Sequence, residues 1–432
     1  RSANAEPGST LAIAAARVLV EAGDPGATAA FSLLLRDPGA RPAALRLALG
    51  AGREELGDSL SRVEPAEDEV ELWLAALGRS GGEPALARLE RNLARPERAW
   101  AAAYALARSQ ESDATDILER ALEAPATRRD AARAAALRTL TGGGTPGGFD
   151  AALRALEASK LPADRAAASF ARAATDSERG AALLAARDAT NVCSAARAAS
   201  FGALALAAAT RLARERDPLL RVCLTSSLAD TRAADRVPDR TLIELVESDG
   251  AATHLAAYAL SARDRAELRP RLRELLSSSD PGLRAHVALG LARSADASAV
   301  GLLADAYRFE TEPRVRRALV LALAARREKG RRATLRLAAD LDPDPEARAR
   351  ARRALGAVAE AARTRSETAW LRLDPPDAAS PPIFVLIETS EGLALPALPD
   401  PDGSVLLTSL TAGEIIVTLS AEPQRLQPGT PP

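Results

Sequence analysis

The sequence predicts a mainly α-helical repeat array, an α-α superhelix or solenoid, followed by a small all-β sandwich domain. First, an Ala-rich helical pattern closed by a leucine recurs about every 30 residues over most of the chain. Second, Gly, Pro and Asp clusters separate the copies, where a helical hairpin must turn. Third, Pro, Thr, Val and Ile replace Ala and Arg after Arg365. A period of this length is the sequence signature of stacked structural repeats.

The clearest copies lie between Pro281 and Asp342. Each half contains a helix, a short break and a second helix. In each half an apolar residue followed by Arg (Leu283-Arg284 and Val315-Arg316) opens an Ala/Leu/Val run, and the run ends at Leu291 or Leu323. A unit of this size cannot bury its apolar face alone, so it must stack on copies of itself.

The leucines that close the first helix of each copy define the repeat register. Their spacing follows the repeat period, except for one wide gap between Leu137 and Leu204 that holds a weak copy around Ala163–Asp176. We therefore predict eleven or twelve helical pairs in a right-handed array. The closing leucines are Leu19, Leu49, Leu77, Leu106, Leu137, Leu204, Leu228, Leu260, Leu291, Leu323 and Leu355.

The copies resemble a known repeat. Residues 283–292, 315–324 and 347–356 read LRAHVALGLA, VRRALVLALA and ARARARRALG, and residues 70–78 read VELWLAALG. They resemble the short HEAT repeat of phycocyanobilin-lyase-type HEAT proteins, which favours V-R-x-x-A-x-x-A-L-G. The resemblance covers roughly residues 9–360 and implies a HEAT-like α-solenoid. It further implies that the Arg at the second position reaches an acidic or carbonyl partner in the neighbouring repeat.

Composition limits the classes of function. The hydrophobic fraction is 47% but only 3% of residues are aromatic, and such Ala-rich cores suit closely packed helices. The 57 basic and 58 acidic residues leave a net charge of -1, so bulk charge indicates neither nucleic acid nor membrane. Cys193 and Cys223 fit no zinc or redox spacing, and one disulfide stays open. No apolar run approaches the ~20 residues of a membrane span.

The region after Arg365 predicts strands. The runs Ala369–Leu373, Ile383–Glu388, Leu393–Leu395, Ser404–Thr408 and Glu414–Ser420 partly alternate with period two. Because Ile383–Glu388 is almost continuously apolar, we expect it to be a central strand.

A second resemblance lies in the same region. Residues 400–420, DPDGSVLLTSLTAGEIIVTLS, resemble the closing hairpin of carboxypeptidase-regulatory-like β-sandwiches. The resemblance implies a tight turn at Asp402-Gly403 and a loop at Thr411–Gly413. The domain prediction is a flexible N-terminus at 1–8, a solenoid at 9–362, a β-sandwich at 366–422 and a disordered tail at 423–432.

Two groups of side chains are candidates for partner binding. Residues 314–365 contain fifteen bases and six acids, which could be a solvated rim, a contact for an acidic protein or a nucleic-acid site. Trp73, Trp100 and Tyr104 lie in adjacent first helices, where they could form an exposed aromatic patch or fill the core. The partner-binding candidates are Arg317, Arg327, Arg331, Arg332, Arg352, Trp73 and Trp100.

Three further features have structural interpretations. His254 and His286 fall in successive first helices, but a metal needs three or four ligands, so we predict no metal site. The alternating acids from Asp340 to Glu346 loosely resemble a calcium loop, although helix capping explains them better. The Gly-rich stretch 140–149 predicts a mobile loop, which could be a hinge, a partner-binding loop or a tolerated insertion.

These observations favour a non-catalytic scaffold or adaptor that binds a protein partner. The sequence lacks G-x-S-x-G, H-E-x-x-H, C-x-x-C and dinucleotide-binding motifs, so we predict no cofactor. The alternatives are a bilin-lyase-like enzyme or chaperone and a nucleic-acid-binding HEAT solenoid that uses residues 314–365. The short HEAT form and the Arg/Ala-biased composition favour a bacterial protein. The β-sandwich resemblance and the start at Arg1 without Met, which is compatible with a cleaved signal peptide, favour the envelope or periplasm over the cytoplasm. The oligomeric state stays open.

The repeat register can be tested by two sets of substitutions. Replacing Leu291 or Leu323 with Asp should cost more than about 4 kcal/mol, because a charge would be buried without a partner. Replacing Arg327, Arg331 and Arg332 together with Ser should leave the fold intact. Thermal melts distinguish the two sets, and the reverse result would show that the register is wrong.

Overall fold

The chain folds into two compact units, Arg1–Thr175 and Asp176–Pro432. The structure is a computed structural model. It describes residues 10–199, 204–225, 228, 235–248, 252–263, 265–356, 367–373, 384–389, 393–410 and 415–420.

The first unit is built from helices that alternate between two layers. Odd-numbered helices stack on one another in layer A, and even-numbered helices from α2 to α10 stack in layer B. A short 3-10 turn at Glu67–Glu69 precedes α5. The helices are α1 (Thr10–Ala22), α2 (Ala27–Arg36), α3 (Arg41–Ala51), α4 (Glu54–Ser61), α5 (Val70–Ser80), α6 (Glu83–Leu93), α7 (Ala99–Arg108), α8 (Asp113–Glu123), α9 (Arg128–Leu140), α10 (Phe149–Glu157) and α11 (Pro162–Thr175).

The second unit continues the alternation. Its odd-numbered helices form layer A, in which α13 packs on α15 and the series α17, α19, α21 and α23 packs in order. A 3-10 turn at Ala266–Leu268 precedes α18. The described helices are α12 (Ser177–Ala185), α13 (Ala189–Ala199), α14 (Ala205–Leu212), α15 (Pro218–Thr225), α16 (Asp239–Glu247), α17 (Thr253–Ser261), α18 (Arg269–Leu276), α19 (Pro281–Leu291), α20 (Ala299–Phe309), α21 (Pro313–Ala325), α22 (Arg331–Leu341) and α23 (Pro345–Gly356).

The predicted helical repeats are confirmed, with one error of register. Leu291 and Leu323 end their layer A runs and are 2% and 0% exposed. Leu204, however, does not close a first helix, because it is the N-cap of the layer B helix α14. In the preceding layer A helix the buried C-terminal residues are Ala198 and Ala199. Alanine therefore occupies the closing position there, and the nearest leucine belongs to the following helix.

The Arg at the second position of the repeat joins neighbouring elements, as the HEAT resemblance implies. Arg284 Nη1 donates to Ser278 O in the preceding repeat at 2.7 Å, and its Nε donates at 2.8 Å to Glu310, the C-cap of α20 in its own repeat. Arg316 makes the equivalent contacts with Glu310 O and Asp342. Each guanidinium thus caps the end of the preceding helix pair and forms an ion pair with the acid that ends its own pair.

A second set of arginines crosses to the preceding repeat. Arg326 is 5% exposed and donates to three carbonyls at and after the C-terminal end of α19, those of Leu291 (3.2 Å), Ser294 and Asp296 (2.7 Å). Arg138 does the same in the first unit, where it reaches Leu106 O. Since the last carbonyls of a helix have no partner within it, these side chains satisfy them from the next repeat.

The C-terminal region forms two small antiparallel sheets. Strand β1 (Glu367–Arg372) pairs with β4 (Ser404–Leu410). In the other sheet β2 (Phe384–Thr389) is central between β3 (Ala394–Ala397) and β5 (Ile415–Ser420). The prediction of a central strand at 383–388 is therefore confirmed.

The segment 400–420 departs from the predicted hairpin. Its two strands, β4 and β5, belong to different sheets, so they do not pair with each other. The tight turn is present, because Gly403 has φ of 79° and its amide donates to Asp400 O at 2.8 Å. A Cβ at Gly403 would lie 2.1 Å from Leu373 O, which explains the glycine. The predicted loop at Thr411–Gly413 and the predicted terminal segments 1–8 and 423–432 lie outside the described residues.

The arginine contacts between repeats can be tested with adjacent residues. Arg326→Met should lower the free energy of unfolding by about 3 kcal/mol, because it leaves buried carbonyls without a donor. Arg327→Met is the matched control, since Arg327 is exposed and its side chain makes no hydrogen bond within the described part of the chain. It should change stability by less than about 0.5 kcal/mol. Urea denaturation measures both, and equal effects would contradict the proposed role of Arg326.

Candidate interaction surfaces

The layer A face of the second unit contacts the three-stranded sheet. Val222 on α15 packs against Leu386 of β2 and Ala394 of β3 in one buried cluster, which Leu219 and Leu398 extend. Strand β3 also contacts α17.

Polar side chains of layer A hold the segment from Ala394 to Asp400. His286 Nε2 accepts a hydrogen bond from the Ala394 amide at 2.9 Å. Arg197 on α13 donates to Leu398 O and forms an ion pair with Asp400, and both side chains are buried. Ser194 Oγ donates to the same carboxylate at 3.1 Å. Layer A thus contacts an amide, a carbonyl and a carboxylate of one extended segment.

Two further bonds strengthen this region. Arg314 on α21 forms an ion pair with Glu388 of β2, which is buried. Cys193 and Cys223 form a disulfide between α13 and α15, which answers the question that their spacing left open. The disulfide joins equivalent positions of two neighbouring layer A helices, because the cysteines are 30 residues apart.

The two histidines have distinct structural roles. Their rings are 5.1 Å apart, and His254 Nε2 donates to Asp280 at 2.7 Å. This hydrogen bond lowers the pKa of Asp280 to about 2. Burial, followed by the charge of His254, lowers the pKa of His286 to about 3. Neutral His286 donates from Nδ1 to Gly282 O at 2.8 Å and so leaves Nε2 as the acceptor for Ala394. Among the described residues, no cluster of three or more His, Cys, Asp or Glu side chains could hold a metal ion.

Several arginines of the basic segment pair with acids or cap a helix end. Arg317 forms ion pairs with Asp344 at 2.5 Å and Glu346 at 2.9 Å. Arg350 also pairs with Glu346, and Arg348 donates to Asp342 O. The alternating acids therefore receive guanidinium groups in addition to capping α23, where Asp344 accepts from the Ala347 amide at 3.2 Å.

Other candidate arginines lie at the surface. Arg327 and Arg332 are exposed, and their side chains make no hydrogen bond or ion pair in the regions that the structure describes. Arg331 is half-buried and donates to Ala324 O at 2.7 Å. Arg352 is exposed, with Nε 3.2 Å from Ala339 O. The partner-binding role of Arg317 and of these four residues stays a prediction.

Exposed apolar side chains end two neighbouring layer B helices. Phe309 ends α20 and is 85% exposed, and Leu341 ends α22 and is 73% exposed. The two positions are equivalent, since they lie one repeat apart in the sequence and the two helices pack side by side. Leu337, one turn before Leu341, is also exposed. We did not predict this group from the sequence. The positions of Leu337 and Leu341 relative to Leu335 and Ala338 in the helical period are the signal that indicates it.

The aromatic candidates of the first unit lie in different environments. Trp73 is fully buried, and its Nε1 donates to Leu60 O at 2.9 Å, so it fills the core between α4 and α5. Trp100 is half-buried, and its role in partner binding stays a prediction. Tyr104 Oη accepts from Arg108 at 3.0 Å.

The Gly-rich stretch is attached to layer B of the first unit. The amide of Gly147 donates to Glu119 on α8 at 3.1 Å, and Thr145 Oγ1 lies 3.1 Å from Thr139 Oγ1. These contacts favour the interpretation as an ordered insertion between α9 and α10.

Comparison with known proteins supports the helical repeats alone. A family model of HEAT repeats matches residues 238–324 and, in an overlapping copy, residues 270–356. This part of the second unit is therefore similar to HEAT repeats. No curated protein matches the chain. Among the described residues, none of the helices combines the length and apolarity that crossing a bilayer requires.

The position of His286 predicts a pH dependence of stability. The unfolded side chain binds a proton near pH 6.5, but the folded one does so only near pH 3, so the unfolded state gains protons first. Stability should be complete above pH 6.5 and fall as the pH is lowered, by about 2 kcal/mol at pH 5. Equilibrium unfolding in urea between pH 7.5 and 5 measures the effect.

Two variants isolate His286 from its neighbours. His286→Gln keeps an acceptor for Ala394 and should flatten the dependence, whereas His254→Gln should retain it. The charged groups nearest His286 are His254 and Arg314, and Asp280 contributes only below about pH 4, where its stabilisation is lost. If the free energy of unfolding falls equally with pH in wild type and in His286→Gln, the pH dependence does not come from His286.

Proposed function

We propose that this chain is a non-catalytic scaffold that binds a protein partner through the exposed surface of its C-terminal helical repeats. The exposed pair Phe309 and Leu341, on neighbouring layer B helices, is the observation that carries the proposal. Proteins with HEAT repeats generally act in protein–protein interaction and scaffolding, which supports the same conclusion.

The charge around this pair indicates the chemistry of the partner. Arg332 and Arg336 follow one another by a single helical turn on the exposed face of α22, next to the stripe formed by Leu337 and Leu341. The side chains of both arginines lack a hydrogen bond or ion pair among the described residues, and Asp340 is the acid on the same face. A partner with apolar anchors and acidic neighbours fits this surface.

Two further features of the second unit bear on the cell compartment and on the role of the β region. The disulfide between Cys193 and Cys223 is typical of an oxidising compartment, which supports an envelope or periplasmic location in a bacterium. The five antiparallel strands among the described residues support a small β-sandwich that serves as an accessory module.

The surface can be tested by a paired comparison of variants. Phe309→Ser combined with Leu341→Ser should weaken partner binding at least about tenfold, because exposed apolar anchors supply most of the binding energy. Leu33→Ser combined with Leu206→Ser is the matched control, since these leucines are 51% and 60% exposed on other helices. Affinity capture from the source organism with quantitative mass spectrometry identifies proteins that wild type and control retain and the test variant loses.

The same preparation distinguishes the alternative functions. Duplex DNA that binds with an affinity falling steeply with salt would favour a nucleic-acid-binding solenoid. A bilin that changes its absorption spectrum on mixing would favour the bilin-lyase-like enzyme or chaperone. Either result, together with equal protein capture by all three forms, would overturn the scaffold proposal.

A further inference from the structure

The segment Ala394–Asp400 meets layer A along the free edge of a strand. In the part of the chain that the structure describes, strand β3 pairs only with β2, and it also contacts α15 and α17. Backbone groups of an edge strand need partners when they are buried. Here Ala394 donates to His286, and Leu398 accepts from Arg197.

One proline lies on the edge that faces the helices. Alternate residues of a strand direct their backbone groups to the same edge, so residues 394, 396 and 398 share the edge that faces layer A. Pro396 has no amide hydrogen and therefore leaves no unpaired donor there. The helices supply partners for the Ala394 amide and the Leu398 carbonyl of this edge.

The carboxylate of Asp400 adds specificity to the contact. Asp400 is 7% exposed and receives both the Arg197 guanidinium and the Ser194 hydroxyl. Charge-assisted hydrogen bonds of this kind are about twice as strong as neutral ones. The disulfide holds α13 beside α15, so the polar site for Asp400 and the apolar site around Val222 keep a constant spacing.

We propose that the layer A face from α13 to α19 is a receptor for extended protein segments, and that Ala394–Asp400 is its resident ligand. The foreign partner has an exposed strand edge with apolar side chains four residues apart, proline between them, and a carboxylate two residues after the second. It displaces the β region and takes the same contacts. This surface is separate from the proposed layer B surface around Phe309, so either proposal can fail alone.

The ion pairs permit displacement, because buried ion pairs such as Arg197–Asp400 stabilise little beyond the cost of removing their charges from water. Covalent attachment holds the resident segment at an effective concentration in the millimolar range. A free segment of equal chemistry therefore competes only at comparable concentration or after the resident contacts are weakened.

The first experiment weakens the resident ligand and leaves the receptor unchanged. In the full-length chain, Asp400→Asn combined with Glu388→Gln removes both ion pairs from the strand side. A fluorescent peptide with the sequence of residues 393–401, LALPALPDP, should bind this variant at least tenfold more tightly than it binds wild type. The peptide with Asn in place of its Asp should bind at least tenfold more weakly, because it loses the charge-assisted contacts.

A receptor variant supplies the matched control. Adding Arg197→Gln to the weakened chain should abolish peptide binding, whereas adding Arg327→Gln should leave it unchanged. The proposal is overturned if the weakened chain does not bind the peptide, or binds the Asp and Asn peptides equally. A dimer of the weakened chain that the peptide dissociates would show that the occupant is a second copy, and would overturn the assignment to a foreign partner.

Hydrogen–deuterium exchange on wild type gives a test that does not depend on the folding of a variant. Peptide at several millimolar should increase deuterium uptake in Ala394–Ala397 severalfold, and the Asn peptide should not. Unchanged uptake with both peptides would overturn the proposal.

Discussion

Arginine side chains that cap helix ends in neighbouring repeats are the interaction on which the helical array depends. The core is built mainly from Ala and Leu. Because small side chains interdigitate little, apolar packing alone favours no particular register between adjacent helices. Arg326 donates hydrogen bonds to carbonyls at the C-terminal end of α19, and Arg138 to those at the C-terminal end of α7. These directional bonds fix the register between neighbouring repeats. The planar guanidinium suits this task because its donors can reach several carbonyls at once.

The same contacts change the meaning of the basic segment. Fifteen bases between residues 314 and 365 look like a surface for polyanions. In the folded unit, Arg316 and Arg326 lie within the repeat contacts, and Arg314 pairs with the β region. Arg332 and Arg336 stay at the surface on α22, where Leu337 and Leu341 are also exposed. A surface that combines apolar side chains with arginines is typical of protein interfaces.

The two layers of the second unit present different surfaces. Layer A contacts the β region through His286, Arg197 and Val222, so part of its face is covered. Layer B presents Phe309 and Leu341 to solvent. Under the two proposals, layer B binds one protein partner, and layer A exchanges its own strand for that of another chain.

The sequence alone determined the helical repeats, the strand positions and the central place of residues 383–388, because these depend on local periodicity and composition. The Arg at the second position of the repeat was also predictable from the HEAT resemblance. The register failed at Leu204, where alanine takes the closing position and periodicity offers no leucine to mark it. Only the tertiary structure decided that β4 and β5 belong to different sheets, that Cys193 meets Cys223, and that His286 accepts from Ala394. These pairings join positions that are distant in the sequence, and their geometry arises from the stacking of whole repeats, which no local pattern records.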